Sequence, residues 1–357
     1  MPKKVYAVFL HALLAASAVN FNTASATQIS ARIIGGSRSN TTAWPWMSGL
    51  VYKDSLISDG LFCGASLIAK DWILTAAHCL RGEDKNSFDV IINQAQLDRN
   101  NGERISIERF ILHPEFDRLT LKNDLALIRL SSPSNNLPIR VLSPYSTQDK
   151  PDKTVTALGW GTTISTKPLR YPLDLMQVDL PLISNPLCAS SMSGITDDML
   201  CAGDGQGQKD TCKGDSGGPL IIFDTESQSW RQVGITSWGF DCAVADEYGV
   251  YTRLKNYARF ISDNICTMPE TPPSTSLKLS IDGNIASAEW NTVNKASGYL
   301  LNYAPYPEAD IIYSIDMQQA THFSARLAKG SAYYVAITSY NGNCLSDFSN
   351  IEHFILK

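Results

Sequence analysis

The chain has 357 residues, of which 44% are hydrophobic and 18% charged, and a formal net charge of −5. That is the make-up of a globular protein of two or three domains, each large enough for its own core. The charge is mild, and no run of Lys and Arg offers a phosphate-binding stripe, which excludes nucleic acid as a partner.

Lys3 and Lys4 are followed by an apolar stretch from Val5 to Val19 and then by Ala24-Ser25-Ala26. Charge, apolar run and small residues in that order predict a secretory signal over residues 1–26, cut after Ala26. An uncut membrane anchor is the competing reading. The run is short for the ~20 residues a span needs, and His11 interrupts it, so no stable membrane insertion is expected. The expected location is extracellular, or periplasmic in a bacterium. In such an oxidising compartment the eight cysteines read as disulfides. Zinc fails on spacing, because there is no Cys-x-x-Cys pair and histidine is scarce.

After the signal come TQISAR (residues 27–32) and IIGG. From there to about Cys266 the chain is a series of short apolar runs broken by Gly, Pro, Asn and Asp, such as GASLIAKDWILTAAHC, NDLALIRL, TVTALGWG and GITSWG. This pattern predicts an all-β barrel or sandwich. Within RLKNYARFISDNIC, apolar residues at 254, 257, 258, 260, 261 and 265 have helical spacing and predict a helix that closes this domain. TMPETPPSTS (267–276) carries three prolines and reads as a stiff, extended linker. The tail, 277–357, is again strand-like. In SAYYVAITSYN, Tyr333, Val335, Ile337 and Ser339 alternate with Tyr334, Ala336, Thr338 and Tyr340, which predicts a strand with one buried face.

The chemistry concentrates in KDTCKGDSGGPL, Lys209 to Leu220. A serine hydroxyl is a poor nucleophile at neutral pH. It needs a general base within hydrogen-bond reach, a partner that fixes the base's tautomer, and donors for the oxyanion formed on attack. Ser216, flanked by glycines that let the backbone turn its N–H groups, fits that need. His78, His113, His322 and His353 remain as bases once the signal is removed. His78 ends an apolar strand in LTAAHC, whereas His113 in HPEF reads as a surface turn residue. Asp124, just before an apolar strand in KNDLALIRL, is the candidate carboxylate; buried, it would need hydrogen-bond partners.

LTAAHC, NDLALIRL, GDSGGP and ITSWG, in that order, resemble the trypsin family of serine endopeptidases over roughly residues 33–266. The resemblance implies two six-stranded antiparallel barrels. It makes His78 the general base, Asp124 its orienting carboxylate and Ser216 the nucleophile, with the N–H groups of Gly214 and Ser216 as the oxyanion hole. RIIGG resembles the family's activation site. Residues 27–32 are then a propeptide, cleavage after Arg32 frees the α-amino group of Ile33, and that ammonium pairs with Asp215 to order the Ser216 loop. Asp210 would lie at the base of the specificity pocket and select Arg or Lys, with Gly239 and Gly249 keeping the pocket open. Ser237 and Trp238 would pair with the substrate backbone as an added strand.

The same resemblance pairs Cys63 with Cys79, Cys188 with Cys201 and Cys212 with Cys242; Cys266 and Cys344 are left over and are expected to join each other. Asp241 stands where relatives commonly have glycine, and suggests a preference for a second basic group. Tyr248, before Gly249, replaces a common proline and is associated in the family with a sodium site. The calcium loop is poorly matched between Gln94 and Glu103. No metal or cofactor is expected. The implied partners are protein or peptide substrates with Arg or Lys before the cleaved bond, and an activating protease, another copy of the enzyme included. An inactive homologue that binds through its tail is the competing class, and the presence of all three residues and the pocket acid argues against it. The tail, through Trp290, Tyr299, Tyr333 and SDFSN, resembles a fibronectin type III sandwich.

Overall fold

Val-, Ile- and Leu-rich runs cut by turn residues can satisfy their backbone groups only by pairing, and closing the sheet removes its edges. The computed structural model describes residues 35–356, apart from 41, 100, 163–170, 226, 241, 243 and 267–270. The expected signal, propeptide, Arg32, Ile33 and Asp241 therefore lie outside the described residues.

Six strands, Met47–Tyr52 (β1), Leu61–Ala69 (β2), Trp72–Thr75 (β3), Phe88–Ile92 (β4), Glu103–Leu112 (β5) and Ala126–Leu130 (β6), close in the order β1-β2-β3-β6-β5-β4. Thr154–Gly159 (β7), Met176–Ile183 (β8), Met199–Ala202 (β9), Pro219–Asp224 (β10), Ser229–Trp238 (β11) and Gly249–Arg253 (β12) close in the equivalent order β7-β8-β9-β12-β11-β10. These are the two antiparallel six-stranded barrels of the trypsin type. Leu50, Leu67, Ile73, Phe88 and Leu127 fill the first barrel; Val155, Leu180, Leu220, Val233 and Tyr251 fill the second. The helical spacing near residue 260 becomes a 3₁₀ turn, Leu254–Tyr257, leading into helix α1, Ala258–Ile265. Its Ile261 and Ile265 join the first barrel's core. No helix among the described residues is long and apolar enough to cross a membrane.

The tail is a β-sandwich. Leu277–Asp282 (β13), Ile285–Trp290 (β14) and His322–Arg326 (β17) form one sheet in the order β13-β14-β17. Gly298–Pro305 (β15), Tyr313–Gln318 (β16), Ala332–Asn341 (β18) and Cys344–Phe348 (β19) form the other in the order β16-β15-β18-β19, with Glu352–Ile355 (β20) also on β18. Ala288, Trp290, Tyr299, Leu301, Val335 and Ile337 meet between the sheets.

One expectation fails in β18. Alternation predicted one buried face, yet Val335 to Tyr340 are all buried. The second face is covered near its end because the tail packs against the barrels. The Arg140 guanidinium lies 3.6 Å from the centre of the Tyr340 ring. Asp316 accepts from Tyr340 Oη at 2.8 Å and sits 3.3 Å from Arg140 and 3.1 Å from Arg231. The Asn343 side chain accepts from Val141 N–H at 2.8 Å and donates to the carbonyls of Ile68 and Ile139 at 2.8 and 3.1 Å. Leu345 N–H donates to Ser262 Oγ at 3.0 Å, and Cys266 is bonded to Cys344. Barrels and sandwich belong to one compact unit.

Removing the acid from this cluster would leave the buried Arg231 and the half-buried Arg140 with no carboxylate between them, and breaking a buried pair costs about 3–5 kcal/mol. Asp316→Ala should therefore lower the melting temperature of barrels and tail together, in one calorimetric transition. A tail that melts on its own, with the barrels unmoved, would contradict this account of the interface.

Candidate active site

The short helical turn after β3, Ala77–Leu80, carries His78. The disulfide from Cys63 on β2 to Cys79 pins it. His78 Nδ1 lies 2.7 Å from Asp124 Oδ2, and its own backbone N–H donates to Asp124 Oδ1 at 2.9 Å. Asp124 is fully buried, and Ser237 Oγ on β11 donates to its Oδ2 at 2.5 Å. Three donors thus satisfy a carboxylate that would otherwise be costly to bury. With Nδ1–H donating to Asp124, the lone pair of the ring is left on Nε2. Cys63, His78 and Cys79 also bring three potential metal-ligating atoms together. Both sulfurs are spent in the disulfide, so no thiolate is available to hold a metal.

Ser216 sits in a tight loop whose shape demands glycine. Gly217 has φ +78, and a Cβ there would overlap Thr75 Oγ1 and the Gly64 carbonyl of the first barrel. Gly214 has φ +100. The Ser216 carbonyl accepts from Gly64 N–H at 2.7 Å, tying this second-barrel loop to the first barrel. The N–H groups of Gly214 and Ser216 have no hydrogen-bond acceptor among the described residues.

A cavity of about 390 Å³ is lined by His78, Ser216, Asp210, Trp238, Gly239 and Gly249, among others. Asp210 is buried, only 7% exposed. Behind it, Thr211 Oγ1 and Tyr251 Oη are 2.9 Å apart. Burial pushes the Tyr251 phenol well above its usual range, and the negative charge of Asp210 adds to that. The two glycines differ. A Cβ on Gly239 would meet nothing closer than 3.8 Å, so its absence serves only to leave the cavity open. One on Gly249 would stand 2.9 Å from Tyr251 Oη. Cys212 and Cys242 join two walls of the cavity, and Cys188 and Cys201 clip the helical turn Asn185–Ser191 to β9.

Asp215 lies outside this cavity. It is fully buried and accepts N–H bonds from Gly161 at 2.8 Å and Cys212 at 2.9 Å. Burial outweighs those two donors and pushes its carboxyl up to about 6.

The structure thus brings His78, Asp124, Ser216, Asp210, Ser237 and Trp238 together, and sets Asp215 apart. Sequence reasoning gave Ser237 only a backbone role and did not see its hydroxyl on Asp124. It also passed over Lys213, Phe240 and Leu121, which line the same cavity. Lys213 and Phe240 adjoin residues already singled out, and that adjacency was the available signal. Leu121 (φ +53) carries none, since a lone leucine in a loop says nothing of what it faces.

A family model described as Trypsin matches residues 33–261. Mannan-binding lectin serine protease 1 of Mus musculus is 34% identical over 254 residues, covering 64% of this chain and 34% of the relative. The protein of that name from Homo sapiens is 32% identical over 248 residues, covering 64% and 34%. That from Rattus norvegicus is 32% identical over 247, covering 62% and 34%. The chain spans about a third of the length of these curated relatives.

Asp215 makes the stability of the intact chain depend on pH. Its folded value, about 6, is above the unfolded 3.8, so the folded state binds the proton more tightly. Stability is then greatest below about 4 and falls as pH rises through about 6, by at most roughly 3 kcal/mol. Denaturant unfolding at stepped pH should show this fall in the intact chain and not in Asp215→Asn. Identical slopes in the two would refute it.

Proposed function

The chain belongs to the trypsin family of serine proteases, and we propose that it is a secreted endopeptidase, made as an inactive precursor, that cleaves peptide bonds after Arg or Lys. The observation that carries this reading is one cavity shared by Ser216, the Asp124-bound His78 and the buried Asp210.

In the proposed reaction, His78 Nε2 takes the proton of Ser216 Oγ as that oxygen attacks the scissile carbonyl carbon. The carbonyl oxygen becomes an oxyanion and receives the N–H groups of Gly214 and Ser216. Asp124 holds the tautomer and stabilises the imidazolium. His78 then gives its proton to the leaving amine as the C–N bond breaks, which leaves an ester on Ser216. Water, deprotonated by His78, attacks the ester carbon; as the bond to Ser216 Oγ breaks, His78 returns the proton to that oxygen, which releases the acid and free Ser216. Asp210 binds the substrate's cationic side chain, a guanidinium in bidentate fashion or an ammonium directly or through water. Ser237 and Trp238, at the end of β11, pair with the substrate backbone.

Activation is by cleavage after Arg32. The new ammonium of Ile33 pairs with Asp215, a buried carboxylate for which a cation replaces the hydration lost on burial. Two residues downstream, a Cβ on Gly35 would overlap the Gln208 carbonyl, so the chain already runs beside the loop that leads to Asp210 and Asp215. That proximity supports the route. The remaining parts are a signal over 1–26, a propeptide over 27–32, a protease domain over 33–266, a linker over 267–276 and a fibronectin type III-like sandwich over 277–357. The sandwich reading is supported by buried Trp290 and Tyr299, whose rings meet edge to face at 6.0 Å. Four disulfides favour an oxidising compartment.

Two experiments test these assignments. In the cleaved protein, a fluorophosphonate should label Ser216, and a peptide library should be cut after Arg and Lys with that preference lost by about 10⁴-fold in Asp210→Ser; cutting without regard to Arg or Lys would overturn the role of Asp210. Separately, Arg32→Gln should leave an intact chain that neither hydrolyses peptides nor labels, whereas full activity in that variant would remove the activation scheme.

A further inference from the structure

Asp124 belongs to the first barrel by sequence, yet it is held from the second barrel as well. Ser237 Oγ reaches its carboxylate at 2.5 Å and Thr252 Oγ1 its backbone carbonyl at 2.7 Å. A third attachment acts on the residue before it. Asn123 has φ +54, a left-handed conformation that asparagine tolerates but that is seldom adopted without support. Its N–H donates to Asp198 Oδ2 at 3.1 Å. Its side-chain oxygen accepts from Tyr257 Oη at 2.8 Å, and that hydroxyl lies 3.4 Å from the same Asp198 oxygen. The Asn123 side-chain amide donates to the Glu115 carbonyl at 2.9 Å, and Leu125 N–H closes a tight turn on the Asn123 carbonyl at 2.9 Å. Asp124 is the middle residue of that turn, so the direction of its carboxylate follows from the conformation of Asn123.

Asp198 is itself fixed. It stands just before β9, its carbonyl accepts from Arg253 N–H at 2.8 Å, and its Oδ1 accepts from Thr196 Oγ1. Burial and the negative charge of Asp198 push the Tyr257 phenol up, which keeps that hydroxyl a donor.

We propose that Asp198 is a positioning residue for the proton-transfer step: it holds the Asn123 N–H across the junction of the two barrels and so aims the Asp124 carboxylate at His78 Nδ1. The proposal rests on the reading of Asp124, His78 and Ser216 given above. Without the acceptor, the Asn123 N–H is left unpartnered, the left-handed residue relaxes, and Asp124 turns from the imidazole. The imidazole is charged only as the reaction proceeds, so the loss falls on kcat and leaves ground-state binding in the Asp210 pocket alone.

The test uses cleaved full-length protein, with every rate expressed per site titrated by the fluorophosphonate. A wild-type protein that fails to titrate would sink the protease reading itself, separately from this one. Given a titrating wild type, Asp198→Ala should lower kcat for an arginyl amide substrate by about 10- to 100-fold, the range expected for an ångström-scale misplacement. KM, and inhibition by benzamidine as a probe of the Asp210 pocket, should be unchanged. Asp198→Asn retains an acceptor oxygen and should restore most of kcat. Tyr257→Phe, which keeps the ring and removes only the hydroxyl, should give the same pattern in smaller measure and serves where Asp198→Ala does not fold. Unchanged kcat per titrated site in Asp198→Ala and Tyr257→Phe, or an equal loss in benzamidine binding, would overturn the proposal.

Discussion

The structure is organised around one carboxylate that has no contact with water. A buried anion is tolerated only where donors surround it, and Asp124 collects them from separate parts of the chain: the His78 ring and backbone from the turn after β3, and Ser237 from β11. Satisfying it forces the two barrels into register with each other. The same contacts that make its burial affordable align the imidazole, so stability and geometry at this point are one requirement.

A second requirement is space. The Ser216 loop is pressed against the first barrel so closely that a side chain at Gly217 would strike Thr75 and Gly64. The wall around Asp215 is equally close: Cβ atoms at Gly159 or Gly161 would overlap its carboxylate. Glycine here admits backbone to places where no side chain fits. The two acids near Ser216 therefore have separate surroundings. Asp210 faces a cavity that a ligand can enter, while Asp215 faces backbone N–H groups in a closed site.

The tail is joined to the barrels by a covalent bond, a charge cluster and an asparagine that bonds three backbone groups, those of Ile68 in the first barrel and of Ile139 and Val141 in the segment between the barrels. Asp316 stands between two arginines that would otherwise repel each other. Burial lowers the Arg231 guanidinium, with the charge of Arg140 adding to the fall and Asp316 opposing it. One of these arginines lies on β11, the strand that ends in Ser237 and Trp238. Sandwich and cavity wall thus share a physical connection, although they are far apart in sequence.

How much of this was readable beforehand depended on whether the signal was local. The strand-rich character and the closing helix were visible because periodicity and turn residues express backbone chemistry within a few positions, whereas the double barrel, the cavity acid and the set of histidine, aspartate and serine followed from the resemblance of short motifs to a known family. The second buried face of β18 was not visible, because alternation reports only the face a strand hides within its own sheet. Nor was the hydroxyl of Ser237 on Asp124, the carboxylate of Asp198 behind Asn123, or Leu121 in the cavity wall. Each of these depends on a partner at least 75 residues away or on a loop conformation that no short motif encodes. The sequence by itself determined which chemical groups were present and which segments would pair. The tertiary structure alone decided which of them meet, because burial of a charge is resolved by whichever donors the closed barrels bring within reach.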